Sequence, residues 1–484
     1  MITKEDILAS RDDQWRQELR NSLSAKERTA IPRVTMPHLD PAYRVSCSEE
    51  VNSGLSPEQA VLEATRCMDC PDPQCISGCP VSINIPGFIK NIQRGCTDIA
   101  AAVLRHTSSL PAVCGRVCPQ EKQCESRCIY HKMHKQPVAI GYLERFAADN
   151  TSEAPASVPA SNGIKIAVVG SGPAGLSFAG AMAQYGYDIT VYEALHEIGG
   201  VLKYGIPEFR LPNSVVDKEI QSLEKLGVKF VRDCVIGKTL SYDNLHDMGY
   251  KGIFVASGAG LPRFMGIPGE NLVNVMSSNE YLTRVNLMGA GQPEHDTPVA
   301  HGKIAAVIGG GNTAMDSCRT ARRMGAEKVY VVYRRGEAEM PARIEEVAHA
   351  KEEGVEFLTL HNPIEYIGDE RGHVCAMRVQ RMELGEPDDS GRRSPVPVEG
   401  AVEQIPVDMV IVSVGVSPNP IIPSTFQGLD ISRRGTIVVN DSTMQSSLGD
   451  LYAGGDIVRG GATVILAMGD GRRAAHSMHD ALSN

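Results

Sequence analysis

The chain has 484 residues, of which 42% are hydrophobic and 22% charged, and its formal net charge is −10. That length exceeds what one hydrophobic core supports, so two to four domains are expected, with the composition of a soluble globular protein. The acidic balance argues against nucleic acid or an anionic membrane surface as partner, and no apolar run approaches the ~20 residues of a membrane span. The opening MITKEDILAS lacks the apolar core of a signal peptide, so a cytoplasmic location is expected.

Residues 1–150 read as mostly helical, for example over 57–65 and 138–149, with cysteine-bearing loops between. Ten of the 13 cysteines lie here. Eight form two tight groups: Cys67-x2-Cys70-x4-Cys75-x3-Cys79-Pro80, then Cys114-x3-Cys118-Pro119 with Cys124-x3-Cys128. Four thiolates hold one iron–sulfur cubane, so eight match a pair, and the cysteine before proline usually serves the other cluster. Zinc is the rival, since Cys-x2-Cys is also a zinc knuckle. The Cys-Pro steps, the x4 and x3 spacings and the redox nucleotide sites downstream favour iron and sulfide. Cys47, Cys96, Cys234, Cys318 and Cys375 read as ordinary buried thiols. No Cys-x-x-Cys lies beyond the cysteine-rich region, which leaves a dithiol mechanism without residues.

A linker rich in Ala, Ser and Pro follows at 151–163. Residues 164–169 form a continuous apolar strand that runs into GSGPAG and a helix over 176–185. The next strand, 188–192, ends at Glu193. In Gly170-x-Gly172-x-x-Gly175 the first glycine makes the turn, the second admits a pyrophosphate and the third lets helix and strand pack. The helix start favours the phosphate charge, and Glu193 stands where a carboxylate accepts from adenosine ribose hydroxyls. Gly200 is assigned to the same site.

A second strand–glycine–helix unit begins at Lys303. Gly309, Gly311, Asn312 and Thr313 are its expected nucleotide contacts, with Ala314 in the third glycine's place. Where the first unit has Glu193, this one has Arg334 and Arg335. Guanidinium groups pair with a 2′-phosphate that a carboxylate would repel, which predicts NADPH rather than NADH. The competing reading is a solvated basic turn. Strands are also read at 253–257 and 409–414. Near the end, AGGDIVRGGATVILAMGDGRRAA gives a strand, a turn and a helix from about 463.

CMDCPDPQCISGCPVSINIPGF, LPAVCGRVCPQEKQCESRC and PVAIGYLERF resemble the amino-terminal domain of the glutamate synthase small (beta) subunit family. They are similar also to the large subunit of NADH-dependent ferredoxin:NADP oxidoreductase, to its sulfide dehydrogenase relatives and to half of dihydropyrimidine dehydrogenase. GSGPAG, GIPEFRLP, GGGNTAMD, VYRR and AGGD continue the likeness from about residue 40 onward. The resemblance implies an α/β fold: a helical domain with two 4Fe-4S clusters (1–150), an FAD domain (164–302 and 419–484) and an inserted NADPH domain (303–418). By the same likeness Gly455 and Asp456 meet the ribityl–phosphate region of FAD, and Gly469 and Gly471 let backbone approach the flavin; the bland alternative at Asp456 is an Asx turn.

The resemblance further implies Cys67, Cys70, Cys75 and Cys128 for one cluster, and Cys79, Cys118, Cys124 and Glu144 for the other. Plain counting of cysteines selects Cys114 in place of Glu144. The implied flow is NADPH to FAD to the clusters, one electron at a time, toward a second redox subunit. That subunit is the FMN-containing large subunit in glutamate biosynthesis, or a small flavin/2Fe–2S subunit; a ferredoxin is another candidate. EYLTRVNLM, LGEPDDSGRR and GGATVILAMGDGRRAA look at least as much like the ferredoxin:NADP oxidoreductase branch, which includes bifurcating enzymes. A zinc- and nucleotide-binding regulatory module is the non-enzymatic alternative. Hydride transfer demands no acid–base side chain, so no catalytic residue is assigned, and His349 reads as a surface or packing residue.

Overall fold

The computed structural model describes residues 2–151, 158–389 and 391–483. Part of the expected linker, 152–157, lies outside the described residues.

The cysteine-rich region is built from short helices with strong start signals. Pro57–Thr65 opens on a capping box between Ser56 and Gln59 with proline in its first turn, satisfying donors that the helix leaves free. Ile85–Gln93 is capped by Asn84 and has eight buried residues. Thr97–Arg105, Pro111–Val117 and Ile140–Asp149 complete the frame. Between the last two, the chain turns through three 3-10 segments, Gln120–Lys122, Glu125–Arg127 and Ile129–Met133.

A five-stranded parallel sheet follows, in the order Leu451–Ala453, Tyr250–Val255, Lys165–Val169, Asp188–Tyr192, Lys229–Val231. A second parallel sheet has the order Val275–Ser277, Met409–Val412, Ile304–Ile308, Lys328–Tyr333, Glu356–Thr359. In each, the chain reverses direction of travel beside the first strand of its glycine unit. That switch point is where open α/β sheets hold ligands, at the carboxyl ends of the strands. The return of Leu451–Ala453 to the first sheet makes the second an insertion.

One boundary differs from the sequence reading. Val275–Ser277, read as part of the 164–302 segment, pairs in the second sheet. The chain crosses between the sheets earlier, through the antiparallel pair Leu261–Pro262 and Val416–Ser417. Within 303–418 stands a three-stranded antiparallel sheet with no counterpart in the sequence reading: His361–Gly368, Val374–Pro387 and Arg393–Pro406. Its edge strand Arg393–Pro406 carries charge and proline and has no buried residue among those described, as a solvent-facing edge allows.

The helical region and the first sheet share one hydrophobic core, in which Phe88, Leu104, Val113 and Tyr130 join Phe178, Phe254 and Met468. The helix Val464–Ser483 is the join. A Cβ on Gly471 would lie 2.3 Å from Ala174 O, and one on Gly469 would lie 2.9 Å from Pro80 O. These two glycines, expected to admit the flavin, instead let this helix close on the helix Pro173–Gln184 and on the cysteine loop.

Candidate functional site

Gly170 has φ +100, and a Cβ there would lie 2.5 Å from Ala256 O. A Cβ on Gly175 would lie 2.0 Å from Gly170 O, so helix and strand meet only without one. Gly172 differs, since nothing stands within 4 Å of a Cβ placed there. It faces open space in front of a helix start, a cradle that fits a pyrophosphate. Glu193 is held from behind. One carboxylate oxygen accepts from Ser171 N at 2.9 Å and Ser171 Oγ at 2.5 Å, and the other from Leu195 N at 2.9 Å. Gly199 N donates to Ser171 Oγ at 2.9 Å, so one hydroxyl ties the glycine turn, the acid and the loop that leads to Gly200.

The second turn repeats the design. Gly309 has φ +141, and a Cβ there would lie 2.3 Å from Ser413 O; the nearest atom to one on Gly311 is Pro341 Cγ at 4.0 Å. Asn312 Oδ1 accepts from Arg343 N at 2.9 Å, which fixes the loop over the helix Asn312–Arg323.

Both turns open into one cavity of about 1210 Å³. Gly170, Gly172, Glu193, Gly200, Gly455 and Asp456 line it, and so do Gly311, Asn312 and Thr313. Gly309 is not part of the wall. A cavity of this size, between two glycine turns and lined mainly by apolar groups, fits a dinucleotide pair in an extended pose. Burial, then the nearby Asp470, push the Asp456 carboxyl up to about 6.

Arg334 and Arg335 stand apart from this wall and from each other. Arg334 is exposed, whereas Arg335 is buried and its Nη2 lies 2.5 Å from Asp388 Oδ2. Asp388 comes from the tip of the antiparallel sheet, so an element absent from the sequence reading sits over the expected 2′-phosphate position.

The cysteines separate into two neighbourhoods. Burial, then Cys67 and Cys128, raise the Cys70 and Cys75 thiols. In the other group, burial raises Cys79 and Cys124, and Cys118 is raised first by its hydrogen bond with Cys114 and then by burial; the Glu144 charge adds to all three. Glu144 is buried, its Oε1 has no hydrogen-bond partner, and burial, then Glu219, push its carboxyl up to about 8. An unpartnered buried carboxylate oxygen among three thiols is a donor set that fits an iron corner. Cys114 is buried beside Cys118, with its Sγ 3.4 Å from Met468 Sδ. Among the described residues, no three His, Cys, Asp or Glu side chains are grouped so as to hold a single metal ion. Of the remaining thiols, Cys234 and Cys318 are buried, Cys47 and Cys96 partly so, and Cys375 is exposed, contrary to the expectation of burial.

Sequence reasoning passed over three features. Asp470, fully buried, accepts from Gly455 N at 3.1 Å and pairs with Arg459 at 2.6 Å and Arg473 at 2.5 Å; an acid within ILAMGDG was its signal. Arg210 of GIPEFRLP pairs with Asp316 at 2.8 Å. Around them, Arg44 and Arg319 both reach Glu353 at 2.8 Å, and His349, read as a surface or packing residue, is buried.

Comparisons with known proteins agree with this geometry. A family model described as pyridine nucleotide-disulphide oxidoreductase matches residues 164–471. A second, described as dihydropyrimidine dehydrogenase domain II, 4Fe-4S cluster, matches residues 44–156. The glutamate synthase [NADPH] small chain of Azospirillum brasilense is 36% identical over 440 residues, covering 89% of this chain and 90% of its own. The NADP(+)-dependent formate dehydrogenase subunit beta of Moorella thermoacetica is 37% identical over 432 residues, covering 84% of this chain and 59% of its own. Among solved structures, FprA from Mycobacterium tuberculosis in complex with NADPH aligns with a TM-score of 0.56 at 22% identity, over 66% of this chain and 85% of that one, a likeness of fold. No helix among the described residues is long and apolar enough to cross a membrane. The chain is therefore an oxidoreductase that belongs to the glutamate synthase small-chain family, with an iron–sulfur domain joined to a pyridine nucleotide-disulphide oxidoreductase fold.

Proposed function

We propose that this chain is the electron-input subunit of a two-subunit enzyme of the glutamate synthase type, using NADPH, FAD and two 4Fe-4S clusters. When bound, the nicotinamide supplies hydride, the flavin converts a two-electron donor to one-electron chemistry, and the clusters conduct single electrons. The residues bind and orient. The turn at Gly170 and Gly172, with Glu193, Gly200, Gly455 and Asp456, holds FAD. The turn at Gly309 and Gly311, with Asn312 and Thr313, holds NADPH; exposed Arg334 favours its 2′-phosphate, and Arg335 joins it on leaving its pair with Asp388.

One observation carries this reading: Val117 lies in the wall of the nucleotide cavity, and its chain neighbour is Cys118. Ala467 also lines the cavity, and its neighbour Met468 touches Cys114. The apolar residues Val117 and Ala467 thus border the cavity while their chain neighbours reach the cysteines, which supports a short path between flavin and the cluster of that group. Cys67, Cys70, Cys75 and Cys128 would hold the outer cluster, and Cys79, Cys118, Cys124 and Glu144 the inner one. The names of the relatives, small chain and subunit beta, support a partner subunit. We take that partner to be an FMN-containing large subunit and the location to be cytoplasmic, where unpaired thiols persist.

Anaerobic titration with NADPH tests the reading. Flavin bleaching followed by loss of broad iron–sulfur absorbance is expected, with flavin, iron and sulfide found by analysis. Reconstituted protein without iron and sulfide overturns it. Arg334→Ala with Arg335→Ala should raise the KM for NADPH far more than that for NADH; equal losses remove both arginines from the site.

A further inference from the structure

The two cysteine groups differ in depth. In one group Cys118, Cys124 and Glu144 are buried and only Cys79 is partly exposed, whereas in the other only Cys67 is buried and Cys70, Cys75 and Cys128 are each partly exposed. Beside Cys128 the sequence runs Arg127, Cys128, Ile129, Tyr130, His131, Lys132, Met133, His134, Lys135, with no acid in it. Except for Tyr130 and Cys128, all of these are exposed, including Ile129 and Met133 at 38% each. A chain of net charge −10 thus places three fixed cations, two histidines and two apolar side chains around its surface-near thiols.

This collar is rigidly mounted. Tyr130 is fully buried and donates its hydroxyl to Arg66 O at 2.7 Å, while the Arg66 guanidinium stacks on its ring at 4.9 Å. Lys135 N donates to Tyr130 O at 3.0 Å, and Lys135 Nζ to Thr29 O at 2.6 Å. Arg127 packs its stem over Gly78, where an added Cβ would lie 3.0 Å from Arg127 Cγ. Nearby acids are drawn inward: Glu125 is buried with Arg33 at 2.8 Å, and Glu121 faces Arg343 at 3.8 Å. Asp72 alone stands exposed on the facing cysteine loop 70–75.

We infer that this collar is the docking surface for the electron acceptor, and that the acceptor is a protein presenting an acidic face around a one-electron centre. The inference deepens the proposed function and rests on it. Fixed cations steer an acidic partner, and exposed Ile129 and Met133 supply the apolar contact that holds it. A preformed surface loses little conformational freedom on docking. Three fixed cations fall short of the cluster of about four to eight that marks an anionic bilayer site, which favours a folded partner.

Isothermal titration of the flavin- and cluster-loaded chain with an oxidised, acidic bacterial ferredoxin tests this. Binding should weaken steeply with added salt. Lys132→Glu with Lys135→Glu should weaken it by about tenfold or more, as expected for charge reversal at a steered interface. Lys132→Glu alone should fall between, and NADPH-driven reduction of the bound flavin should be unchanged in both variants. Equal affinity for wild type and double variant overturns the inference, as does binding to phosphatidylserine vesicles in preference to the ferredoxin. If NADPH fails to reduce the flavin in the wild type as well, it is the electron-input reading that fails.

Discussion

Arg210 and Asp316 meet across the two nucleotide-binding domains: Arg210 Nη1 donates to Asp316 Oδ1 at 3.0 Å and to Oδ2 at 2.8 Å, and both side chains border the cavity. Each is buried. Removing one partner strands the other charge, at a cost of about 3–5 kcal/mol. Arg210→Met should therefore lower the urea midpoint markedly, and adding Asp316→Asn should restore part of it. An additive loss in the double variant would mean that the two residues act separately.

The glycines at the first turn separate folding from binding. Gly175→Ala sets a Cβ against backbone at 2.0 Å, so the protein should lose stability and flavin together. Gly172 has φ −69 and open space around it. Gly172→Ala should fold with an unchanged melting temperature when flavin-free, yet retain flavin poorly, as read by absorbance after gel filtration.

Glu144 and Cys114 give different iron counts. Glu144→Ala removes the unpartnered carboxylate, and the protein should lose the inner cluster, about four irons per chain, the content of one cubane. Cys114→Ala should keep both clusters and cost the packing against Met468 and the hydrogen bond with Cys118. Iron analysis with EPR of the reduced protein reads both, and the opposite pattern would give the ligand position to Cys114.

Acid should release the second nucleotide domain. Burial raises the Glu353 carboxyl, but hydrogen bonds and charge from Arg319, then Arg323, outweigh it and hold the group at about 2, below its ordinary 4.5. A depressed carboxylate contributes stability that is complete above its unfolded value and lost as pH falls toward the folded one. Stability should thus decline between about pH 4.5 and pH 2, and Glu353→Gln should flatten that decline while lowering stability at neutral pH. Urea unfolding at several pH values measures this.

Legibility in the sequence followed burial. Strands buried on both faces read as continuous apolar runs, and 188–192 was read with the same ends as the observed Asp188–Tyr192. The antiparallel sheet hid behind its charge: Arg393–Pro406 has no buried residue among those described. Glu144 came from resemblance, since nothing in local spacing separates a cluster ligand from a helix acid. Long-range ion pairs left no trace at all; Arg44 and Glu353 lie far apart in the chain and find each other only through the fold. Gly469 and Gly471 were noticed for their type, but their neighbours turned out to be Pro80 and Ala174.

The approach of Gly469 to Pro80 has a bearing on assembly order. Pro80 and Gly469 lie far apart in the sequence. Contacts so distant along the chain form late, since closing the intervening loop costs entropy before any contact repays it. The wall that Gly469 forms against the cysteine loop is therefore among the last parts of the core to close.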